Sequence, residues 1–163
     1  RTGKVVYNFF NIPAGKLNSR MLKAEDILEV WGGIIEKLKI KLPELKIIFT
    51  VSPFRHWKDS AEGNMVSKSV LLYAIHLLRN KFPGLDYFPS YEIMMDDLRD
   101  YRFYGEDMLH LNTSAVNYIW QKFDQRFIND ETRKVLKKID EINRAVAHKP
   151  FRTGSEDHLA FVE

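Results

Sequence analysis

The sequence predicts an α/β fold in which a parallel sheet is flanked by helices in three layers. Short β-branched and aromatic runs alternate with segments whose apolar residues recur every three or four positions, the order that builds a parallel sheet under crossover helices. The run 46–51 (KIIFTV) is apolar almost throughout, the pattern of a strand covered on both faces. With 163 residues, 45% hydrophobic and 13% aromatic, the chain holds enough apolar material for one core and too little length for two. A single domain over 1–148 with a flexible tail over 149–163 follows as the expectation.

Residues 4–10 (KVVYNFF) read as a buried strand that ends before Asn11, Pro13 and Gly15. Over 24–42 the residues Ile27, Leu28, Trp31, Ile34, Ile35 and Leu38 keep helix spacing, and Pro43 closes the segment. The strand 46–51 stops at Pro53. Asn64 reads as the cap of a helix reaching Lys81, with Val66, Val70, Tyr73, Ala74 and Leu77 along its buried face. Its His76 is expected to be packed. Residues 85–95 hold a further strand interrupted by Pro89, and 97–111 (DLRDYRFYGEDMLHL) sustain neither period, as functional loops do. Helix spacing returns over 113–127 through Val116, Ile119, Trp120 and Phe123, and a more polar helix covers 130–148.

The absence of cysteine excludes disulfides, thiolate metal sites and a cysteine nucleophile. No apolar run approaches the roughly 20 residues of a membrane helix, so no membrane span is expected. The net charge is +3, and Lys134, Lys137 and Lys138 alternate with Glu131, Asp140 and Glu141, which describes a solvated helix face rather than a phosphate-binding patch. No nucleic-acid partner is expected. The chain opens on Arg1, reads as a fragment, and leaves localisation unknown, since a missing start removes any evidence on export.

In a parallel sheet, ligands bind beyond the carboxyl ends of the strands, which directs attention to the loops after Val51 and before Thr113. Asp107 and His110 lie three apart in the second loop, a spacing that suits a carboxylate orienting an imidazole base. Such a pair also occurs by chance in many chains. The first loop carries Ser52, Arg55 and His56, which can line a pocket; Ser52 lacks the neighbouring glycines of a nucleophile elbow and suits a turn. Asn8, at the end of the first strand, can donate into an oxyanion hole or form a turn. The run Tyr101, Arg102, Phe103 and Tyr104 anchors a loop to the core more readily than it stacks on bases. The histidines show no paired ligand spacing, and no metal or other cofactor is expected.

At these residues the sequence resembles the GSCFA family, a bacterial group related to SGNH hydrolases. The resemblance rests on TVSPFRHWKD with N-x-x-S-K at Asn64 to Lys68, and on YFPSYEIMMDDLRDYRFYGEDMLHLN ending at Asn112. It implies an SGNH-hydrolase-like, flavodoxin-like fold, incomplete on its N-terminal side. It also implies a serine hydrolase or acyltransferase acting on an ester or acyl group, with His110 as base and Asp107 as its orienting acid. The family's Gly-Ser-Cys-Phe-Ala motif, source of the nucleophilic serine, is absent here, so the nucleophile is expected upstream and this chain alone is expected to be inactive. Relatives resemble Asn-Cys-His-Lys where this chain has Asn8, Phe9, Phe10 and Asn11, and the proline that follows the histidine is replaced by Leu111. Asn8 therefore stands as the implied oxyanion donor. The alternative is a noncatalytic module on the same fold that binds a carbohydrate or a protein. An incomplete sheet with an uncovered edge would also favour self-association.

Overall fold

A computed structural model describes residues 20–147 of the chain. It divides into two compact units, Arg1–Asn112 and Thr113–Glu163.

In the first unit, helix α1 spans Ala24–Lys41. Its start is fixed by Asp26, whose carboxylate accepts from the Lys23 backbone N–H at 2.9 Å and from Arg20 at 2.6 Å. Acidic residues in the first turn and Lys39 and Lys41 in the last complement the helix dipole, and Pro43 follows directly after Leu42, where the helix stops. Strand β1 covers Ile47–Thr50. A 3₁₀ turn at Trp57–Asp59 leads into helix α2, Ser60–Lys81. Gly84 adopts φ +91, a left-handed conformation that costs glycine little, and turns the chain into strand β2, Leu85–Phe88. β2 runs parallel to β1 with Ile47 opposite Leu85 and Thr50 opposite Phe88. Pro89 ends β2, and the chain continues as the short helix α3, Ser90–Glu92, and a π-helical turn, Ile93–Leu98. Arg99 closes that turn with φ +55 and a bond from its N–H to the Met94 carbonyl.

The core lies between α1, α2 and the sheet. Ile35 and Leu78, both fully buried, pack with Phe82 and Leu85, and Leu28, Ile47 and Phe49 close around them. Burying each large aliphatic side chain contributes roughly 1.5–3 kcal/mol. A second cluster joins Val51, Ile75 and Tyr91 beneath the loop that follows β1. Together these elements form a small parallel sheet flanked by helices, compatible with the expected α/β class. The expected strand over 4–10 lies outside the described residues, as does the expected tail.

Three expectations are corrected here. β1 is not covered on both faces among the described residues: Ile48 and Thr50 are exposed, because α1 and α2 cover the face that carries Ile47 and Phe49. The buried face of α2 consists of Asn64, Lys68, Ala74, Ile75 and Leu78, while Val66 and Tyr73 are exposed. His76 is therefore exposed rather than packed; its Nε2 meets the Asn80 side-chain amide at 3.0 Å, and its ring stacks on Tyr73.

In the second unit, α4 spans Thr113–Phe127 and α5 spans Asp130–Ala147, as their spacing predicts. Along α4 Trp120 stacks on Phe123, and Phe127 packs against Phe123 with its ring tilted. Arg133 fastens the turn between the helices: it pairs with Asp124 and Asp130 and donates to the carbonyls of Asp124 and Ile128. The Asn129 side chain caps α5 by accepting from the Thr132 N–H.

Candidate active site

The pair Asp107 and His110 stands at the tip of a loop closed on itself by backbone bonds. The Gly105 N–H donates to the His110 carbonyl at 2.7 Å, and the Asn112 N–H donates to the Phe103 carbonyl at 3.0 Å. Tyr104 and Leu111 form an antiparallel bridge. The Asn112 side-chain amide adds a bond to the Arg102 carbonyl. Within the loop Met108 takes a left-handed conformation, φ +59, with its side chain half exposed.

The two oxygens of Asp107 divide the work of this loop. Oδ1 accepts from the backbone N–H groups of Leu109 and His110, at 2.9 and 3.0 Å. Oδ2 lies 2.5 Å from Nδ1 of His110. These three donors, the His110 ring first among them, hold the Asp107 carboxyl at about 2, well below its ordinary value. An ionised carboxylate can only accept, so Nδ1 carries the proton and Nε2 presents its lone pair. Among the described residues Nε2 meets no hydrogen-bond partner. The arrangement can therefore take a proton from a group brought to Nε2 and stabilise the resulting imidazolium.

The loop after β1 supports this pair from one side. The Phe54 ring lies 4.4 Å from the His110 ring, centroid to centroid, and the Arg55 N–H donates to the Leu109 carbonyl at 3.2 Å. Residues of α2 in turn hold the loop. The Asn64 side-chain oxygen accepts from the His56 N–H at 2.9 Å, and the Lys68 ammonium donates to the Ser52 carbonyl at 2.6 Å. Burial in this position lowers the pKa of Lys68, which is 7% exposed. From the other side, the Ser90 hydroxyl donates to the Val51 carbonyl and meets the Thr50 hydroxyl at 2.7 Å.

Of the residues expected at the site, the structure brings together Asp107 and His110, and Arg55, from the loop after β1, bonds to their loop through its backbone N–H. Ser52 is exposed, and its hydroxyl accepts from the Phe54 N–H at 3.3 Å, the turn-forming arrangement that its sequence context favours. His56 faces a different space, an open concavity of about 350 Å³ shared with Met21, Ile27, Ser67 and Leu71. Asn8 lies outside the described residues. The expected capping role of Asn64 is corrected: α2 begins at Ser60, whose hydroxyl accepts from the Gly63 N–H, so Asn64 sits inside the helix. Phe54 and Lys68 had no expected role. For Lys68 a signal was present, since Asn64 and Lys68 are polar residues four apart on a helix face that continues through Ile75, and a buried polar pair at that spacing needs partners.

No group of three or more metal-ligating side chains occurs among the described residues, and no described helix is long and apolar enough to cross a membrane. The family model described as the GSCFA family matches residues 1–123, three quarters of the 163-residue chain. No curated protein and no solved structure matches the chain.

Proposed function

This chain belongs to the GSCFA family, and we propose that Asp107 and His110 are the acid and base of a serine hydrolase or acyltransferase acting on an ester or acyl group. The observation that carries the proposal is the bond between Nδ1 of His110 and Oδ2 of Asp107, which leaves Nε2 as the proton-accepting nitrogen. A serine supplied by sequence preceding Arg1 would give its hydroxyl proton to Nε2 as its oxygen bonds to the acyl carbon. The imidazolium, stabilised by Asp107, then returns that proton to the departing alcohol as the ester C–O bond breaks. Water, or a second alcohol in acyl transfer, repeats the sequence in reverse order of roles. Asn8 is the proposed oxyanion donor, because amide side chains fill that role in acyl transfer.

The test is a fluorophosphonate probe applied to the chain alone and to any longer protein that carries it together with an upstream serine, with turnover of short acyl esters measured beside it. Labelling of an upstream serine, with loss of labelling in His110→Ala, is the expected result. Labelling of Ser52 would move the nucleophile into this chain. Undiminished turnover after His110→Ala would remove the acid and base reading and leave the noncatalytic binding module in its place.

A further inference from the structure

We infer that Arg55 is a positioning residue that seats the loop bearing Asp107 and His110 through an aromatic cage. Its guanidinium carbon lies 4.3 Å from the centre of the Tyr104 ring, 5.0 Å from that of Tyr101 and 5.8 Å from that of Trp57, all within the range of cation–π attraction. Arg55 meets no carboxylate at salt-bridge distance among the described residues. The guanidinium is delocalised, planar and weakly hydrated, which suits it to a pocket walled by rings.

The need for such a clamp follows from exposure. Glu106, Asp107, Met108 and His110 all stand in solvent, so the tip of the loop contributes almost nothing to a core of its own. What holds it lies at its base, where Tyr104 is buried and bridged to Leu111. The neighbouring segment grips the loop three times: through the Phe54 ring on His110, through the Arg55 N–H on Leu109, and through the Arg55 side chain on Tyr101 and Tyr104. Tyr101 and Tyr104 belong to one 3₁₀ turn, in which the Tyr104 N–H returns to the Tyr101 carbonyl, so a cation on both rings fixes the turn's direction. The direction of that turn sets where the bridge, and with it the imidazole, points.

This inference rests on His110 acting as base, and its test is chosen to separate the two ideas. The chain itself, labelled with ¹⁵N and ¹³C, is compared with Arg55→Met and Tyr104→Leu by NMR. Wild type should show a nuclear Overhauser contact between the Phe54 and His110 rings and an Asp107 carboxyl that titrates at about 2. Arg55→Met should lose the ring contact and move the Asp107 midpoint upward toward 3.8, while the amide spectrum of the α1 and α2 core stays in place. Arg55→Lys, which keeps the charge but not the planar fork, should recover only part of the effect. Should Arg55→Met fail to fold, Tyr104→Leu decides, since it leaves Arg55 intact and opens one wall of its cage. An unchanged ring contact and an unchanged Asp107 titration in a folded variant would overturn the inference. In the longer protein Arg55→Met should lower kcat by up to about 100-fold with little change in KM, the cost of misplacing a reacting group by about 1 Å. Asp107→Asn leaves the cage whole, so full activity in that variant would sink the acid and base reading without touching the cage.

Discussion

Replacing Asp107 by asparagine separates the structural from the chemical work of one side chain. Asparagine keeps one carbonyl oxygen and substitutes an amide nitrogen for the other. Two backbone N–H groups, of Leu109 and His110, point at Oδ1, so the amide nitrogen cannot sit there without setting donor against donor. It must take the place of Oδ2, where it donates to Nδ1 of His110. The imidazole then carries its proton on Nε2, the nitrogen that has to receive one. The loop should keep its shape while the base is blocked, and kcat should fall about 10⁴-fold, the loss that the equivalent change produces in serine proteases. Turnover of a short acyl ester by the longer protein measures the loss, and ¹⁵N shifts of the ring on this chain report the tautomer. A loss smaller than tenfold, or a ring still protonated at Nδ1, would mean that Asp107 does not set the tautomer of the base.

Other outcomes follow from the same contacts. The Asp107 carboxyl titrates at about 2 in the folded chain against 3.8 ordinarily, so its contribution to stability is present above pH 3.8 and lost as pH falls toward 2. Thermal melts of wild type and Asp107→Asn should therefore converge over that window, and a constant difference would contradict it. Lys68→Met leaves the Ser52 carbonyl without its donor and should cost about 1–3 kcal/mol in urea unfolding; wild-type stability would show that the bond contributes nothing. Because burial lowers the Lys68 pKa, the unfolded chain holds that proton up to about 10.5 after the folded chain has released it, and the part of stability due to Lys68 should rise with pH in that interval. Ile35→Ala, at a fully buried site in the main cluster, should cost about 2–5 kcal/mol, and a smaller value would mean that α1 closes onto the gap.

The helices were legible because apolar spacing is a local signal. α1, α4 and α5 repeat every three or four residues and end near a proline, a loop or a cap, and their bounds fall within a residue or so of the pattern. The start of α2 was misplaced because Asn64 has the chemistry of a cap, while Ser60, four residues earlier, fills that role and frees Asn64 to bind the His56 N–H. The facing of Asp107 and His110 was legible for the same reason as the helices, since both residues belong to one short loop. What holds that loop was not. Phe54 and Arg55 meet His110 and Tyr104 across about fifty residues of sequence, and no periodicity records a contact made by the fold itself. The alternation of β1 was hidden because IIFT is apolar or β-branched at every position, and only the placement of α1 and α2 on one side decides which residues are covered.

The left-handed backbone at Met108 bears on how this loop can change over evolutionary time. A non-glycine residue in that conformation costs roughly 1–2 kcal/mol, which the surrounding bonds must outweigh. The Met108 N–H reaches the Gly105 carbonyl at 3.0 Å, while the side chain is half exposed. The position therefore asks for a backbone shape and asks little of the side chain. Glycine or asparagine could enter there and relieve strain, whereas valine or isoleucine would force the turn open and swing Asp107 away from His110. One tolerant residue between an acid and its base gives the lineage a place to vary the rim of the site without disturbing the proton path beside it.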